Sequence, residues 1–110
     1  IVLSTSGNSA RLVAKYRPHC PILTITREAQ TARQIHLHRG CYPFNYPKSC
    51  LTPEELADSD KWQQDVDERI QWGIEQALEM NILKRGDTVV VIQGGKPGVG
   101  HTNSMQVISA

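Results

Sequence analysis

Hydroxyl-bearing side chains fill the stretch Ser4-Thr5-Ser6-Gly7-Asn8-Ser9. The apolar run Ile1–Leu3 precedes it and a segment with helical spacing follows it, which predicts a turn between a strand and a helix. Backbone N–H groups at a helix start lack partners, and the helix dipole favours negative charge there. The stretch therefore predicts a phosphate-binding turn, in which Gly7 allows the tight backbone. Taken alone, it is more typical of an ordinary helix cap, because caps prefer the same residue types.

A second candidate for anion binding lies on the longest predicted helix. Trp62 and Arg69 are seven residues apart, and seven steps of about 100° return nearly to the same helix face. An arginine can hold a phosphate through two hydrogen bonds. The alternatives are an ion pair of Arg69 with Asp65 at i,i+4 and a purely structural role for Trp62.

A glycine-rich loop, Gly94-Gly95-Lys96-Pro97-Gly98-Val99-Gly100, precedes His101. Its spacing is similar to the nucleotide-binding pattern G-x-x-x-x-G-K-[ST], but His101 stands where that pattern has lysine. The segment after it alternates like a strand, whereas the pattern opens a helix. A small nucleotide-binding domain is therefore disfavoured. The loop is either a long hairpin connection or a mobile lid over an anion, to which Lys96 is suited.

Other reactive side chains give no pattern typical of catalysis or metal binding. His36 and His38 lie two residues apart on a predicted helix, so they face different directions and are not a metal-binding pair. Cys20, Cys41 and Cys50 match no zinc spacing, and we expect free thiols in a reducing compartment. No carboxylate pair and no Ser/His/Asp order stands out. We expect neither a catalytic group nor a bound metal in this chain.

Length and composition indicate one small domain over residues 1–110. The formal net charge of +1 gives no reason to expect a nucleic-acid or membrane-surface partner. There is no run long enough to span a bilayer and no signal peptide, so we expect a cytoplasmic protein. The chain starts inside a predicted strand without methionine, from which we expect a piece of a longer protein.

Strands and helices alternate along the chain. The predicted strands are Ile1–Thr5, Ile22–Thr26, Cys41–Asn45, Thr88–Ile92 and Thr102–Ile108. The predicted helices are Ser9–Tyr16, Glu28–Leu37 with Thr26 as cap, a short turn capped by Thr52, and Lys61–Asn81. Tyr46–Lys61 reads as a polar connection, and Thr88–Ile92 as a central strand covered on both faces. The pattern predicts an α/β fold: a three-layer αβα sandwich with a five-stranded, mostly parallel sheet and an antiparallel last strand.

The motifs follow one another in a specific order: Ser4-Thr5-Ser6-Gly7-Asn8-Ser9, Tyr16-Arg17-Pro18, Thr26-Arg27, Thr31-Ala32-Arg33, His38-Arg39-Gly40, Trp62, Asp65-Val66-Asp67, Arg69, Lys84-Arg85-Gly86-Asp87 and the Gly94–Asn103 loop. Over essentially the whole chain, this order resembles the C-terminal, allosteric domain of eukaryotic pyruvate kinases. Ser4–Gly7 and Gly100-His101 are most similar to the fungal branch.

The resemblance implies a function for each element. The intact enzyme would transfer phosphate from phosphoenolpyruvate to ADP, with Mg²⁺ and K⁺, in a homotetramer whose active site lies in a barrel domain absent here. The domain would bind fructose 1,6-bisphosphate and be non-catalytic by itself. One phosphate would lie on Ser4–Ser9 and the other on Trp62 and Arg69, with Gly94–His101 closing over the sugar. Thr102–Ile108 would lie at the contact between C-terminal domains. A subunit-interface module with an unused phosphate site is the alternative.

Overall fold

A five-stranded sheet forms the middle layer of the protein. The computed structural model describes residues 1–94 and 100–110; the predicted lid residues Gly95, Lys96, Pro97, Gly98 and Val99 lie outside them. The strands are β1 (Val2–Leu3), β2 (Ile22–Thr26), β3 (Cys41–Asn45), β4 (Thr88–Gly94) and β5 (Thr102–Ser109). The helices are α1 (Asn8–Lys15), α2 (Ala29–Gln34), α3 (Pro53–Leu56) and α4 (Ser59–Glu79), and a 3₁₀ turn, Ile35–Leu37, follows α2.

The strand order is β3-β2-β1-β4-β5. Strands β3, β2, β1 and β4 pair in parallel, and β5 pairs antiparallel to β4. The predicted fold class is therefore confirmed.

The chain leaves β1 towards β2 on one side and reaches β4 on the other side. Such a reversal of strand order opens a crevice at the carboxyl ends of the two central strands, where α/β sheets bind ligands.

Helices cover the two faces of the sheet and bury separate apolar clusters. On one face, α1 and the turn after α2 pack on the sheet through Val2, Ala10, Ala14, Ile22, Ile35 and Cys41. On the other face, α4 packs on the sheet through Val66, Ile70, Ile74 and Ala77, which meet Leu3, Leu23, Ile25, Phe44, Tyr46, Val89 and Val91. This arrangement forms the three predicted layers.

Strand β4 differs from the prediction of a strand covered on both faces. Val89 and Val91 are buried under α4, but Val90 is 45% exposed and Ile92 is only half-buried. The prediction was wrong because α1 and α2 pack over β2 and β3, which leaves the same face of β4 partly open. An unbroken run of β-branched residues thus indicated a strand without revealing how many helices cover it.

Several element boundaries also differ from the predictions. The Thr26 hydroxyl accepts a hydrogen bond from the Glu28 N–H at 3.1 Å, but Glu28 is the N-cap, and α2 ends at Gln34. Helix α4 begins at Ser59 because the Asp58 side chain caps it. Tyr46 is buried and packs edge-on against Trp72, so it belongs to the core and not to a polar connection.

Other local predictions agree with the structure. The short helix α3 has the expected cap at Thr52, whose hydroxyl accepts from the Glu55 N–H at 3.3 Å. Strand β1 is shorter than predicted, but Ser4 still continues the ladder by donating its N–H to the Ile25 carbonyl at 3.1 Å. Among the described helices, none combines the length and hydrophobicity needed to cross a bilayer.

Candidate functional site

A cleft of about 280 Å³ opens at the carboxyl ends of β1 and β4. It therefore lies at the point where the strand order reverses. Its walls come from three segments that are far apart in sequence. The lining residues are Leu3, Ser4, Thr5, Ser6, Asn8, Ser9, Leu12, Trp62, Val66, Arg69, Gly94, Gly100, His101 and Thr102. The structure thus brings together the hydroxyl turn, the Trp62–Arg69 pair and both described ends of the glycine loop.

The hydroxyl turn forms the first wall of the cleft. Gly7 is the N-cap of α1, with φ of +85°, and none of the described side chains makes a capping hydrogen bond to the helix. A Cβ at this position would lie 3.1 Å from Ile35 Cδ1, so both the backbone angle and the available space favour glycine. The ordinary serine or threonine cap considered from the sequence is therefore not what forms. Apart from the Asn8 N–H, which donates to Ser6 Oγ, the first N–H groups of α1 have no side-chain cap among the described residues, and such free N–H groups are what an anion site requires.

Hydrogen bonds fix the shape of this turn. The Gly7 N–H donates to Ser4 Oγ at 2.9 Å, and the Asn8 N–H donates to Ser6 Oγ at 3.3 Å. The Thr31 hydroxyl donates to the Thr5 carbonyl at 2.8 Å, which anchors the turn from α2. A serine hydroxyl that accepts one of these bonds still has its own hydrogen to donate to a ligand.

Strand β5 contacts the same turn. Ser9 Oγ and Thr102 Oγ1 are 3.0 Å apart and share a hydrogen bond. The sequence placed Ser9 in the site and Thr102 in a separate strand, and it gave no reason to join them. The antiparallel return of β5 beside β4 creates this contact, because it brings the start of β5 to the carboxyl end of β4.

Trp62 and Arg69 of α4 form the opposite wall. The Arg69 guanidinium carbon lies 5.3 Å from the centre of the Trp62 ring, in a cation–π contact. The predicted shared helix face is therefore confirmed. Trp62 Nε1 is buried and has no acceptor among the described residues. A buried donor without a partner is costly, and Trp62 lines the cleft, so Nε1 is a candidate donor to a ligand.

The predicted ion pair between Arg69 and Asp65 also forms, but Asp65 has a second partner. Arg69 Nε lies 3.2 Å from Asp65 Oδ2, close enough for an ion pair but without the alignment of a hydrogen bond. Arg27 donates to both oxygens of the same carboxylate. The three side chains are 15% (Arg27), 7% (Asp65) and 11% (Arg69) exposed. Two cations and one anion therefore leave a buried excess of one positive charge.

Burial lowers the pKa of Arg69 below its ordinary value, Asp65 opposes this shift, and Arg27 adds to it. An arginine nevertheless stays protonated in proteins. In the part of the chain that the structure describes, neither terminal nitrogen of Arg69 donates a hydrogen bond. The second wall of the cleft therefore carries a fixed positive charge with free donors.

The sequence did not assign Arg27 to the site. Only its position along the chain could have indicated that role. Arg27 directly follows β2, and the carboxyl ends of parallel strands meet at one edge of the sheet. A neighbouring cleft of about 460 Å³ is lined by both arginines together with Ser4, Thr5 and Trp62. Arg27 thus lies beside the predicted site, in a cleft that shares Ser4, Thr5, Trp62 and Arg69 with it.

The remaining histidines and cysteines named from the sequence do not line this cleft, although Cys50 lines the neighbouring one. His36 is exposed on the 3₁₀ turn, and His38 is half-buried beyond it. Cys41 is buried against α1, and burial raises the pKa of its thiol. Cys20 and Cys50 are exposed and unpaired. Each fits the structural or surface role that the sequence indicated.

Comparisons with known proteins give one family. The model of the pyruvate kinase alpha/beta domain matches residues 1–108. Pyruvate kinase 1 of Candida glabrata is 57% identical over 110 residues, and the pyruvate kinase of Agaricus bisporus is 52% identical over 109 residues. That of Schizosaccharomyces pombe is 52% identical over 110 residues. These alignments cover 99–100% of this chain but only 20% of each relative, so the chain spans a fifth of their length.

Proposed function

The chain belongs to the pyruvate kinase family, as a C-terminal α/β domain of the fungal type, and from this premise we propose that it is the regulatory domain that binds fructose 1,6-bisphosphate. One observation carries the proposal. The cleft at the sheet reversal has an uncapped, hydroxyl-rich helix start on one wall and a buried arginine with free donors on the other.

The two walls suit a ligand with two separate phosphates. Helix-start N–H groups and the hydroxyls of Ser4, Thr5, Ser6 and Ser9 would hold one phosphate, as in other anion sites at helix N-termini. Arg69 and Trp62 Nε1 would hold the other through charge-assisted and neutral hydrogen bonds. Gly94, Gly100 and His101 line the same cleft, which supports closure of the Gly94–His101 loop over the sugar.

The catalytic activity is proposed for the intact enzyme and not for this chain alone. We propose that the protein containing this chain transfers phosphate from phosphoenolpyruvate to ADP with Mg²⁺ and K⁺, as a glycolytic enzyme of the cytoplasm. The part of the chain seen in the structure has no group of three or more His, Cys, Asp or Glu side chains that could hold a metal ion.

Self-association through Thr102–Ile108 is the second proposal, and the alternative function as an interface module depends on it. Strand β5 lies at the sheet edge, where unpaired backbone groups favour pairing with another strand. Met105 and Val107 are exposed, and they pair across the ladder with Ile92 and Val90 on the open face of β4. This apolar strip supports contact between two copies in a homotetramer.

A fluorescence titration distinguishes effector binding from a module used only as an interface. In the intact protein with Trp72→Phe, and with any tryptophan outside this chain also replaced, Trp62 reports on the cleft. Fructose 1,6-bisphosphate should change its emission in a saturable way, and fructose 6-phosphate should act only at much higher concentration. If the bisphosphate changes nothing and gives no heat in calorimetry, the interface-only function is favoured.

A further inference from the structure

We propose that Arg27 and Asp65 are positioning residues for Arg69. Arg27 neutralises the Asp65 carboxylate, and this leaves the charge and the terminal donors of Arg69 available to an anion in the cleft. The inference rests on the proposed effector site and adds a determinant of its affinity. It is based on the different contacts that Arg27 and Arg69 make with the buried Asp65 carboxylate.

The two arginines contact Asp65 differently. Arg27 binds it with two terminal nitrogens, one to each carboxylate oxygen, which is the strongest arrangement for this pair. Arg69 reaches only Oδ2, through Nε at 3.2 Å and without hydrogen-bond alignment. Both Asp65 oxygens thus already accept hydrogen bonds from Arg27. Asp65 therefore holds only the Nε side of the Arg69 guanidinium, and the terminal nitrogens of Arg69 stay free of acceptors among the described residues.

Arg27 is held in this position by further contacts. Its Nε donates to the Lys48 carbonyl at 3.1 Å, and its guanidinium lies 5.0 Å from the centre of the Tyr46 ring. Tyr46 is itself buried against Trp72. Each of the three nitrogens of Arg27 therefore has an acceptor, which distinguishes it from Arg69 and fixes Arg27 as the counter-ion of Asp65.

The charge balance would change without Arg27. Asp65 is 93% buried, and a buried carboxylate requires a cationic partner. Arg69 is the only other cationic side chain that the described structure places in ion-pair contact with Asp65. It would turn one edge of its guanidinium, with two N–H donors, to the two Asp65 oxygens. The Asp65 charge would then balance the Arg69 charge, and the cleft would lose its net positive charge.

Ligand-free crystals of the intact protein test this geometry directly. In Arg27→Gln, Arg69 should rotate and hydrogen-bond both Asp65 oxygens, away from the position over Trp62. In Arg27→Lys, which keeps the charge, Arg69 should stay over Trp62. If Arg69 occupies the wild-type position in Arg27→Gln, with its terminal nitrogens still free, the inference is wrong. This comparison needs no ligand and so does not depend on the proposed function.

Calorimetric titration with fructose 1,6-bisphosphate tests the consequence. Arg27→Gln should weaken binding roughly tenfold, the size of one lost bond to a charged group. Adding Asp65→Asn to Arg27→Gln should restore most of the affinity, because the carboxylate that captures Arg69 is then gone. A merely structural role for Arg27 would not give this rescue when the melting temperatures of the variants are equal.

Lys48→Gln is the matched control. It removes one positive charge from the cleft that Arg27 also lines. Lys48, however, pairs with the exposed Glu68 at 3.3 Å and does not touch Asp65. We expect at most a small effect on affinity. If Lys48→Gln weakens binding as much as Arg27→Gln, or if the double variant is no better than Arg27→Gln, the inference is overturned. If the wild type binds no bisphosphate, the proposed function fails instead, and the crystals still decide the positioning role.

Discussion

Single residues in the cleft supply donors of two strengths. The Ser4–Ser9 turn offers several neutral hydroxyl donors, whereas Arg69 is one charged donor group. A hydrogen bond to a charged group contributes about 1.5–3 kcal/mol, against about 0.5–1.5 kcal/mol for a neutral one. The loss of Arg69 should therefore cost more than the loss of any one hydroxyl.

We predict that Arg69→Ala weakens fructose 1,6-bisphosphate binding by about one to two powers of ten. Ser9→Ala should cost less, because neighbouring donors remain. The measurement is calorimetry of the intact protein at one fixed salt concentration. Lys15→Ala, at the other end of α1, is the control for removing a surface cation. Equal affinities of Arg69→Ala and wild type would mean that the site is misassigned.

The buried Cys41 thiol gives a second prediction for a single residue. Burial raises the pKa of its thiol in the folded state, so the folded protein retains a proton that the unfolded chain releases. This contribution to stability is complete below the unfolded pKa of about 8.5 and is lost as the pH rises through the higher folded pKa. Stability of the wild type should therefore fall above about pH 8.5 more steeply than that of Cys41→Ala.

Chemical denaturation of the reduced protein across this pH range measures the effect. Cys50→Ala is the control, because it removes an exposed thiol instead of a buried one. Parallel stability curves for wild type and Cys41→Ala would contradict the prediction.

The residues of the site differ in how readily a sequence reveals them. The hydroxyl turn could be predicted because its members are contiguous and follow a strand, and Trp62 and Arg69 because helical spacing places them on one face. The link from Arg27 to Asp65 spans 38 positions and depends on how α4 lies across the sheet. No local pattern encodes that placement.

At the scale of elements, the contact between α4 and β2 fixes the position of the second wall. A Cβ added to Gly73 would lie 2.3 Å from Ile25 Cδ1, and Ile25 is fully buried. The glycine thus lets the helix approach the strand closely. This role was not visible in the sequence, where a glycine inside a helical pattern suggests only lower helix propensity.

We predict that Gly73→Ala destabilises the protein by about 1–3 kcal/mol through overpacking, despite a gain in helix propensity of about 1 kcal/mol. Urea denaturation measures the change. Gln71→Ala, on the exposed face of α4, is the control and should stay within about 0.5 kcal/mol.

A double variant identifies the atom responsible. Ile25→Val removes the Cδ1 atom that the new Cβ would meet, so Gly73→Ala with Ile25→Val should be more stable than the sum of the two single changes indicates. Strict additivity of the two changes, or a Gly73→Ala protein as stable as wild type, would show that this contact does not limit the packing of α4.

The predicted elements were correct in type and order, and their errors have physical causes. Strand β4 was predicted to be covered on both faces because its residues are apolar throughout, but the reach of α1 and α2 leaves Val90 exposed. Tyr46 was assigned to a connection because polar residues follow it, but the aromatic partner Trp72 draws it into the core. In both cases tertiary packing decided what local composition could not.

At the scale of the whole molecule, the exposed apolar strip on β4 and β5 supports assembly between copies. We predict that Val107→Glu weakens self-association of the intact protein, because it places a charge at the centre of the strip beside Val90. Analytical ultracentrifugation over a range of concentrations measures the effect.

Leu37→Glu is the matched control. Leu37 is 83% exposed, more than the 63% of Val107, but it lies on the 3₁₀ turn and outside the strip. The same change from an apolar residue to glutamate should leave association unchanged there. If Val107→Glu assembles like wild type, the strip is not the contact between copies.

We propose that one cleft at the sheet reversal holds both phosphates of a single effector. A crystal structure of the intact protein with fructose 1,6-bisphosphate tests this most directly. We predict one phosphate on the Ser4–Ser9 turn and the other within hydrogen-bond distance of the Arg69 terminal nitrogens and Trp62 Nε1. Ligand bound elsewhere, or an empty cleft in crystals grown with saturating bisphosphate, would contradict it.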